Sequence, residues 1–264
     1  MNLEILCSQV QELAREVGRF IYDERLKFTA ADIILKGKSD MVTYVDKTSE
    51  ARIVKGLREL LPDSGFIAEE GTAKDNGEKY RWVIDPLDGT TNYIHGISPF
   101  AVSIGLLEDN EIVMGVIYEI SLNEMFYAWK GSKAYMNGKE IHVSTASTTT
   151  DALIATGFPY YDFSKLDQYM MAMDYFMRNS HGMRRLGSAA TDLAYVAAGR
   201  FEAFYEHALH SWDVAAGIII IKQAGGRVSD FNGGDNYLFG GEMVACNANY
   251  YDEFYEIVHK HLAQ

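Results

Sequence analysis

The sequence predicts an α/β fold of the α+β type, divided into two lobes. Three observations lead there. Between Leu3 and Leu60 apolar residues recur every three or four positions, the spacing of amphipathic helices. From Phe66 to Trp129 the period shortens to that of strands, interrupted by short polar turns. After Thr150 helix-like and strand-like stretches alternate, in a chain of 264 residues that sits at the upper size for one hydrophobic core.

Leu3, Leu6, Val10, Leu13, Val17 and Phe20 share one helical face, with acids and arginines between them, and define a long first helix. Residues 46–61 repeat the pattern through Ile53, Leu57 and Leu60 and stop at Pro62. Strands follow at 66–69, 81–84, 101–107, 112–118 and 125–129. Turns fall at Glu108-Asp109-Asn110 and Ser121-Leu122-Asn123, and Asn137-Gly138 is a strong hairpin signal. Residues 1–143 thus form a lobe of two helices packed on a largely antiparallel sheet. The Ser/Thr-rich stretch 144–150 opens the second lobe, 144–264. That lobe holds a strand at 152–155, helices at 166–177 and 188–198, and a strand at 201–205. A buried helix over 214–224 is stopped by Gly225-Gly226, Val228 begins another strand, and a helix over 250–262 closes the chain. The Met and aromatic residues of 166–177 read as core packing.

Hydrophobic residues make up 48% of the chain and charged residues 23%, a globular balance that excludes a disordered protein. A formal net charge of −13 argues against nucleic acid, whose phosphates demand Lys and Arg patches. It opposes an anionic small substrate as well, unless divalent cations in an acid-lined cleft invert the local field. Cys7 and Cys246 have neither zinc-type spacing nor a disulfide framework, which points to a reducing cytoplasm. Asn2-Leu3-Glu4 does not open a signal peptide, and the most apolar run, 215–221, is too short for a membrane.

The most informative stretch is Trp82-Val83-Ile84-Asp85-Pro86-Leu87-Asp88-Gly89-Thr90-Thr91-Asn92. A buried strand runs into two carboxylates three residues apart, and Pro86 is expected to end it because proline cannot donate to a ladder. Hard cations want several oxygen ligands, and Gly89, Thr90 and Thr91 offer N–H groups and hydroxyls to a phosphate. An Asp-Gly turn with a helix cap is the plainer use of the same residues. Two more junctions tip the balance. Phe66-Ile67-Ala68-Glu69-Glu70-Gly71 is again a strand running into two acids, and His210-Ser211-Trp212-Asp213-Val214-Ala215-Ala216-Gly217 opens a helix beside an acid.

Together these motifs resemble the inositol monophosphatase family of magnesium-dependent, lithium-sensitive phosphatases, over nearly the whole chain. The resemblance implies alternating layers of helices and sheets, an αβαβα sandwich, and commonly a homodimer. It implies two or three Mg²⁺ held by Glu69, Asp85, Asp88, Asp213 and the Leu87 carbonyl, with Asp85 as the bridge. Asp46 and Thr90 match the pair that orients the attacking water, with Glu69 also at the catalytic centre. Gly89 and Thr90 would hold phosphate oxygens, Gly187, Ser188 and Ala189 would meet the alcohol, and Glu206 would accept its hydroxyls. Lys38 and Asp40 match a loop over the site, and Glu70 matches a second acid that is either supporting or on the surface. Helix caps at Asp46 and Asp213, and a solvated acid at Glu206, are the structural alternatives. His95, His207 and His210 lack ligand spacing.

The implied activity is hydrolysis of a small phosphomonoester, inositol 1-phosphate or a similar polyol or sugar monophosphate. Thr156-Gly157-Phe158-Pro159-Tyr160-Tyr161 departs from the animal enzymes where they touch substrate, which opens the choice of alcohol. Relatives acting on fructose bisphosphate, histidinol phosphate, nucleotide 3′-phosphates or the 2′-phosphate of NADP share the phosphate chemistry. An aspartyl-phosphate mechanism fits less well, since its acids are two apart and those of Asp85 and Asp88 are three apart. A non-catalytic sugar-phosphate sensor would not need the Asp46–Thr90 pair.

Overall fold

The computed structural model describes residues 1–27, 33–35, 41–73, 77–160 and 162–263. Helix α1 (Leu3–Arg25) is capped by the Asn2 side chain and buries Leu6, Val10, Ala14, Val17 and Ile21. A short antiparallel pair, β1 (Ile33–Leu35) and β2 (Met41–Thr43), leads into α2 (Tyr44–Leu60). The sequence starts this helix at Asp46; the structure starts it two residues earlier. The reason is a capping box: the Thr43 hydroxyl accepts the Val45 and Asp46 N–H groups, and Asp46 accepts the Thr43 N–H at 2.8 Å.

The first sheet has the order β3 (Gly65–Ala68), β4 (Tyr80–Asp88), β5 (Ala101–Glu108), β6 (Glu111–Glu119), β7 (Glu124–Trp129), β8 (Ala134–Met136), β9 (Lys139–Ile141). Only β3 and β4 run parallel. Asn137 and Gly138, both at positive φ, turn the β8–β9 hairpin. The expected strand end at Pro86 is wrong: β4 continues to Asp88. Its register against β5 shifts between Asp85 and Asp88, and proline is tolerated where the ladder is already interrupted. The short helix α3 (Thr90–His95) follows directly.

In the second half come β10 (Leu153–Thr156), α4 (Leu166–Asn179), β11 (Gly182–Arg184), α5 (Ala189–Ala197) and β12 (Ala203–His207). Helix α6 (Ser211–Gln223), β13 (Gly226–Ser229), β14 (Glu242–Asn247) and α7 (Tyr251–Leu262) complete it. The second sheet has the order β11-β10-β12-β14-β13, with β10 parallel to both neighbours and the rest antiparallel. The strand expected over 201–205 lies two residues later. Its antiparallel partner β14 pairs as far as His207, so Glu206 sits inside β12 opposite Met243. Among the described residues, no helix is long and apolar enough to cross a membrane.

Three apolar cores separate five layers. One lies between α1, α2 and the first sheet, through residues such as Val10, Ile53, Trp82 and Val116. A middle core joins the opposite face of that sheet to α5, α6 and the second sheet, from Val83 and Ile117 through Leu193 and Ile220 to Phe204 and Ala245. The third packs α4 and α7 on the outer face of the second sheet. The result is the αβαβα sandwich. Helix α6 is apolar all round because it is covered on both sides.

Contact between α6 and the first sheet is close enough to require glycine. A Cβ at Gly115 would overlap the backbone of Ala216, and one at Gly105 would lie 2.9 Å from the Ala215 Cβ. Gly115→Ala is therefore expected to lower stability by roughly 1–3 kcal/mol, the usual cost of overpacking. Urea unfolding of the two proteins measures this, and an unchanged midpoint would show that the layers can separate freely.

Candidate active site

The fold brings the carboxylates together through three separate routes. Parallel pairing of β3 with β4 puts Ala68 level with Ile84, so the next residues, Glu69 and Asp85, emerge side by side. Asp88 leaves the end of β4 three positions on and meets the N-terminus of α5. Asp213 arrives on α6: Ser103, paired with Asp85 across β5, donates its hydroxyl to the Trp212 carbonyl at 3.4 Å. One ligand oxygen from each of Asp85, Asp88 and Asp213 lies within 4.8 Å of the others. Glu69 stands outside that triangle but lines the adjoining cavity and presses its charge on Asp85.

Each acid is fixed by a neighbouring donor. The Leu87 N–H donates to Asp85 Oδ1 at 2.9 Å. The Ser188 hydroxyl and the Ala190 N–H donate to Asp88 Oδ2 at 2.6 and 2.7 Å. The His210 N–H donates to Asp213 Oδ2 at 2.6 Å, which makes Asp213 a third-position capping residue as well as a member of the cluster. Asp46 divides its oxygens: Oδ2 closes the capping box of α2, and Oδ1 accepts the Thr90 hydroxyl at 3.1 Å. That hydroxyl also lies 3.0 Å from the Leu87 carbonyl, so its single proton has two acceptors.

Asp85 is 3% exposed and Asp88 9% exposed. Burial, then the charges of Glu69, Asp88 and Asp213, hold the Asp85 carboxyl well above the usual range. Burial and Asp213 push Asp88 up to about 7, against the pull of its Ser188 and Ala190 hydrogen bonds. Burial also raises Asp46, opposed by Thr43 and Thr90. An all-oxygen set of crowded, buried acids that resist their own charge fits a hard divalent cation, which would neutralise them together.

Beside the cluster opens a cavity of about 580 Å³, lined by Glu69, Asp88, Gly187, Ser188, Ala189, Glu206 and Asp213 among others. Gly89 adopts a left-handed φ of 86°, and a Cβ there would lie 2.9 Å from the Pro99 carbonyl. Burial and the charge of Asp213 hold Glu206 well above its usual range, relieved by Arg185. His210 stacks on Trp212 at 4.6 Å. Lys38 and Asp40 lie outside the described residues, as does Tyr161.

Glu50 and Asp192 lie outside the sequence motifs, and Asn92 closes one of them with no role read from it. Glu50, fully buried, accepts the Glu70 N–H at 2.7 Å and the Thr72 N–H and hydroxyl at 2.8 and 2.7 Å, and so shapes the loop after Glu69. Its spacing from Asp46, Ile53 and Leu57 puts it on the inner face of α2, a legible signal. Asn92 donates to the Pro99 and Leu186 carbonyls, both at 2.8 Å, tying α3 to the loop before α5. Asp192, on α5, reaches the cavity wall. Neither Asn92 nor Asp192 has a distinguishing pattern in the sequence.

A model of the inositol monophosphatase family matches residues 2–263. The chain belongs to that family. A relative named inositol-1-monophosphatase, from Mesorhizobium japonicum, is 38% identical over 94% of this chain and 93% of its own length. Nus factor SuhB of Escherichia coli (strain K12) is 41% identical over 89% of this chain and 88% of its own. Among solved structures, extragenic suppressor protein suhB from Bartonella henselae is 36% identical, with a TM-score of 0.93 over 98% of this chain and 100% of that one. Inositol monophosphatase from Anabaena is 32% identical, with a TM-score of 0.85 over 100% and 99%. The inositol monophosphatase family is one of metal-dependent phosphatases, and the acidic cluster suits that chemistry.

The raised acids predict how stability follows pH. A carboxyl that holds its proton more tightly folded than unfolded adds stability at low pH and loses it as pH rises through the folded value. In chelator, the melting temperature is expected to fall by several °C as pH rises from about 4, the ordinary carboxyl value, with the share due to Asp88 complete just above its folded value of about 7. A divalent cation should abolish the fall, and Asp88→Asn should flatten it. A curve that is flat or rising in chelator contradicts the electrostatics.

Proposed function

We propose that this chain is a Mg²⁺-dependent phosphomonoesterase that hydrolyses inositol 1-phosphate or similar polyol and sugar monophosphates by direct attack of water. One observation carries this reading: Asp88 and Asp213 of the acidic triangle line a cavity that also holds a carboxylate, Glu206, suited to hydroxyl donors. A purely phosphate-binding pocket would have no use for an acid there. Relatives are named both as inositol-1-monophosphatase and as Nus factor SuhB, so the cavity rather than the names guides the choice of substrate.

Glu69, Asp85, Asp88, Asp213 and the Leu87 carbonyl would hold two or three Mg²⁺. Bound there, the cations would offset phosphate charge and make a water more acidic near neutral pH. The chain's own groups do the positioning. Asp46 Oδ1 accepts the hydrogen bond of the Thr90 hydroxyl, which leaves a Thr90 lone pair to accept from the attacking water and aim it. Gly89 and Thr90 N–H groups would bind phosphate oxygens. Gly187 and the backbone of Ser188 and Ala189 would border the alcohol, since the Ser188 hydroxyl is engaged with Asp88. Glu206 would accept hydroxyls of the leaving alcohol and orient it. Two buried free cysteines, Cys7 and Cys246, support a reducing cytoplasm as the setting. Membership of the family supports a homodimer as the working form.

Steady-state kcat/KM over a panel of phosphomonoesters with Mg²⁺ tests the substrate class, and inositol 1-phosphate should stand above the bisphosphate and nucleotide members. Acid-quenched protein should carry no phosphoryl group; a trapped aspartyl phosphate would replace water attack with covalent catalysis. Asp85→Asn should cost at least ~10²-fold in kcat with an unchanged fold by circular dichroism. Near-normal turnover at saturating Mg²⁺ would remove Asp85 from the site. Thr90→Ala should depress kcat more than it raises KM, because the hydroxyl serves the transition state more than the ground state. A variant altered only in KM would make Thr90 a phosphate anchor.

A further inference from the structure

Asp192 is an acid in the cavity wall with no part in the scheme above. It lies on α5, is 1% exposed, and its Oδ1 has no hydrogen-bond partner among the described residues. Folding alone disfavours such a group, because a buried carboxylate oxygen without a donor forfeits its hydration and receives nothing in return. A leucine or alanine would suit the helix better. The same helix already grips Asp88 through its first turn, so the position of Asp192 relative to the acidic cluster is rigid.

Its neighbour across the cavity wall is Glu206. After burial, the Glu206 charge raises the proton affinity of Asp192, Asp88 raises both acids, and Arg185 offsets both. The Glu206 carboxylate fills the space that a Cβ on Gly157 would take. Arg185 is itself anchored elsewhere, with its guanidinium 5.3 Å from the centres of the Phe158 and Tyr160 rings and donating to the Tyr160 hydroxyl. Asp192, Glu206 and Arg185 all line the cavity, with Asp192 almost wholly covered.

We propose that Asp192 is a specificity-determining residue that accepts a hydrogen bond from a second hydroxyl of the substrate alcohol, beside the one read by Glu206. The ligand class is a phosphomonoester bearing neighbouring hydroxyls. Two acceptor carboxylates suit hydroxyl donors, and Arg185 weakens, without cancelling, the pull of this wall on an ammonium group. This inference rests on the phosphomonoesterase reading and adds a residue to it.

The test uses the full chain with Mg²⁺ and compares inositol 1-phosphate with 4-nitrophenyl phosphate, which offers no hydroxyls. Wild type, Asp192→Ala and the nearly isosteric Asp192→Asn are measured for kcat and KM on both, and for melting temperature without substrate. In Asp192→Ala the ratio of kcat/KM for inositol 1-phosphate to that for the aryl ester should fall ~10-fold, carried mainly by KM, as expected for loss of a charged hydrogen bond. Asp192→Asn should fall less, since its amide oxygen still accepts. Melting temperature should hold or rise, because an unpartnered carboxylate has been removed. An unchanged ratio in both variants, equal losses on both substrates, or a lowered melting temperature in both would make Asp192 structural and overturn the inference alone. A wild-type protein that hydrolyses the aryl ester but not inositol 1-phosphate would overturn the parent reading as well.

Discussion

Mutual repulsion among Asp85, Asp88 and Asp213 is the constraint around which this molecule is arranged. Acids within 4.8 Å of one another, two of them almost wholly out of water, cannot all carry charge without compensation. The protein supplies part of it from helix ends. Asp88 meets the start of α5 and Asp213 the start of α6, each through one oxygen bound to a backbone N–H, while Asp85 accepts the Leu87 N–H. Those termini carry partial positive charge and cannot relax away from the acids, because each helix is packed against a sheet. The remainder is left for a cation, which makes the acid cluster selective for occupants that bring positive charge.

Holding two helix ends at one acidic cluster explains the layered build. Helix α6 must reach across to the first sheet for Asp213 to meet Asp85 and Asp88, and it does so against the glycines Gly105 and Gly115. The outer layers are ordinary amphipathic helices that seal the far faces of the sheets. Rigidity enters at β4, whose irregularity between Asp85 and Asp88 lets a strand deliver two acids to the same side of one opening.

Much of this was readable because the relevant signals are local. Helical spacing revealed α1 and α2, Asn137-Gly138 the β8–β9 hairpin, and strand-to-acid junctions drew attention to Glu69, Asp85, Asp88 and Asp213. What escaped depends on distant partners. The three-residue β11 has no pattern of its own, and β14 became evident only with β12 beside it, which also moved Glu206 from the strand's end to its interior. Pro86 looked like a terminator because its tolerance rests on a register shift that no single strand encodes. Glu50 could have been read from the inner face of α2, whereas Asn92 and Asp192 owe their surroundings to loops nearly a hundred residues away or to a cavity wall.

The divided carboxylate of Asp46 has a consequence for how the protein fails under stress. One oxygen closes the first turn of α2 and the other holds the Thr90 hydroxyl, so fraying of that helix end and loss of the Thr90 contact are a single event. Helix ends open far more readily than whole domains do. Thermal inactivation would then run ahead of global melting, with the core still intact when the threonine has already lost its orientation. Reversal on cooling would be quick, since only one turn of helix has to re-form.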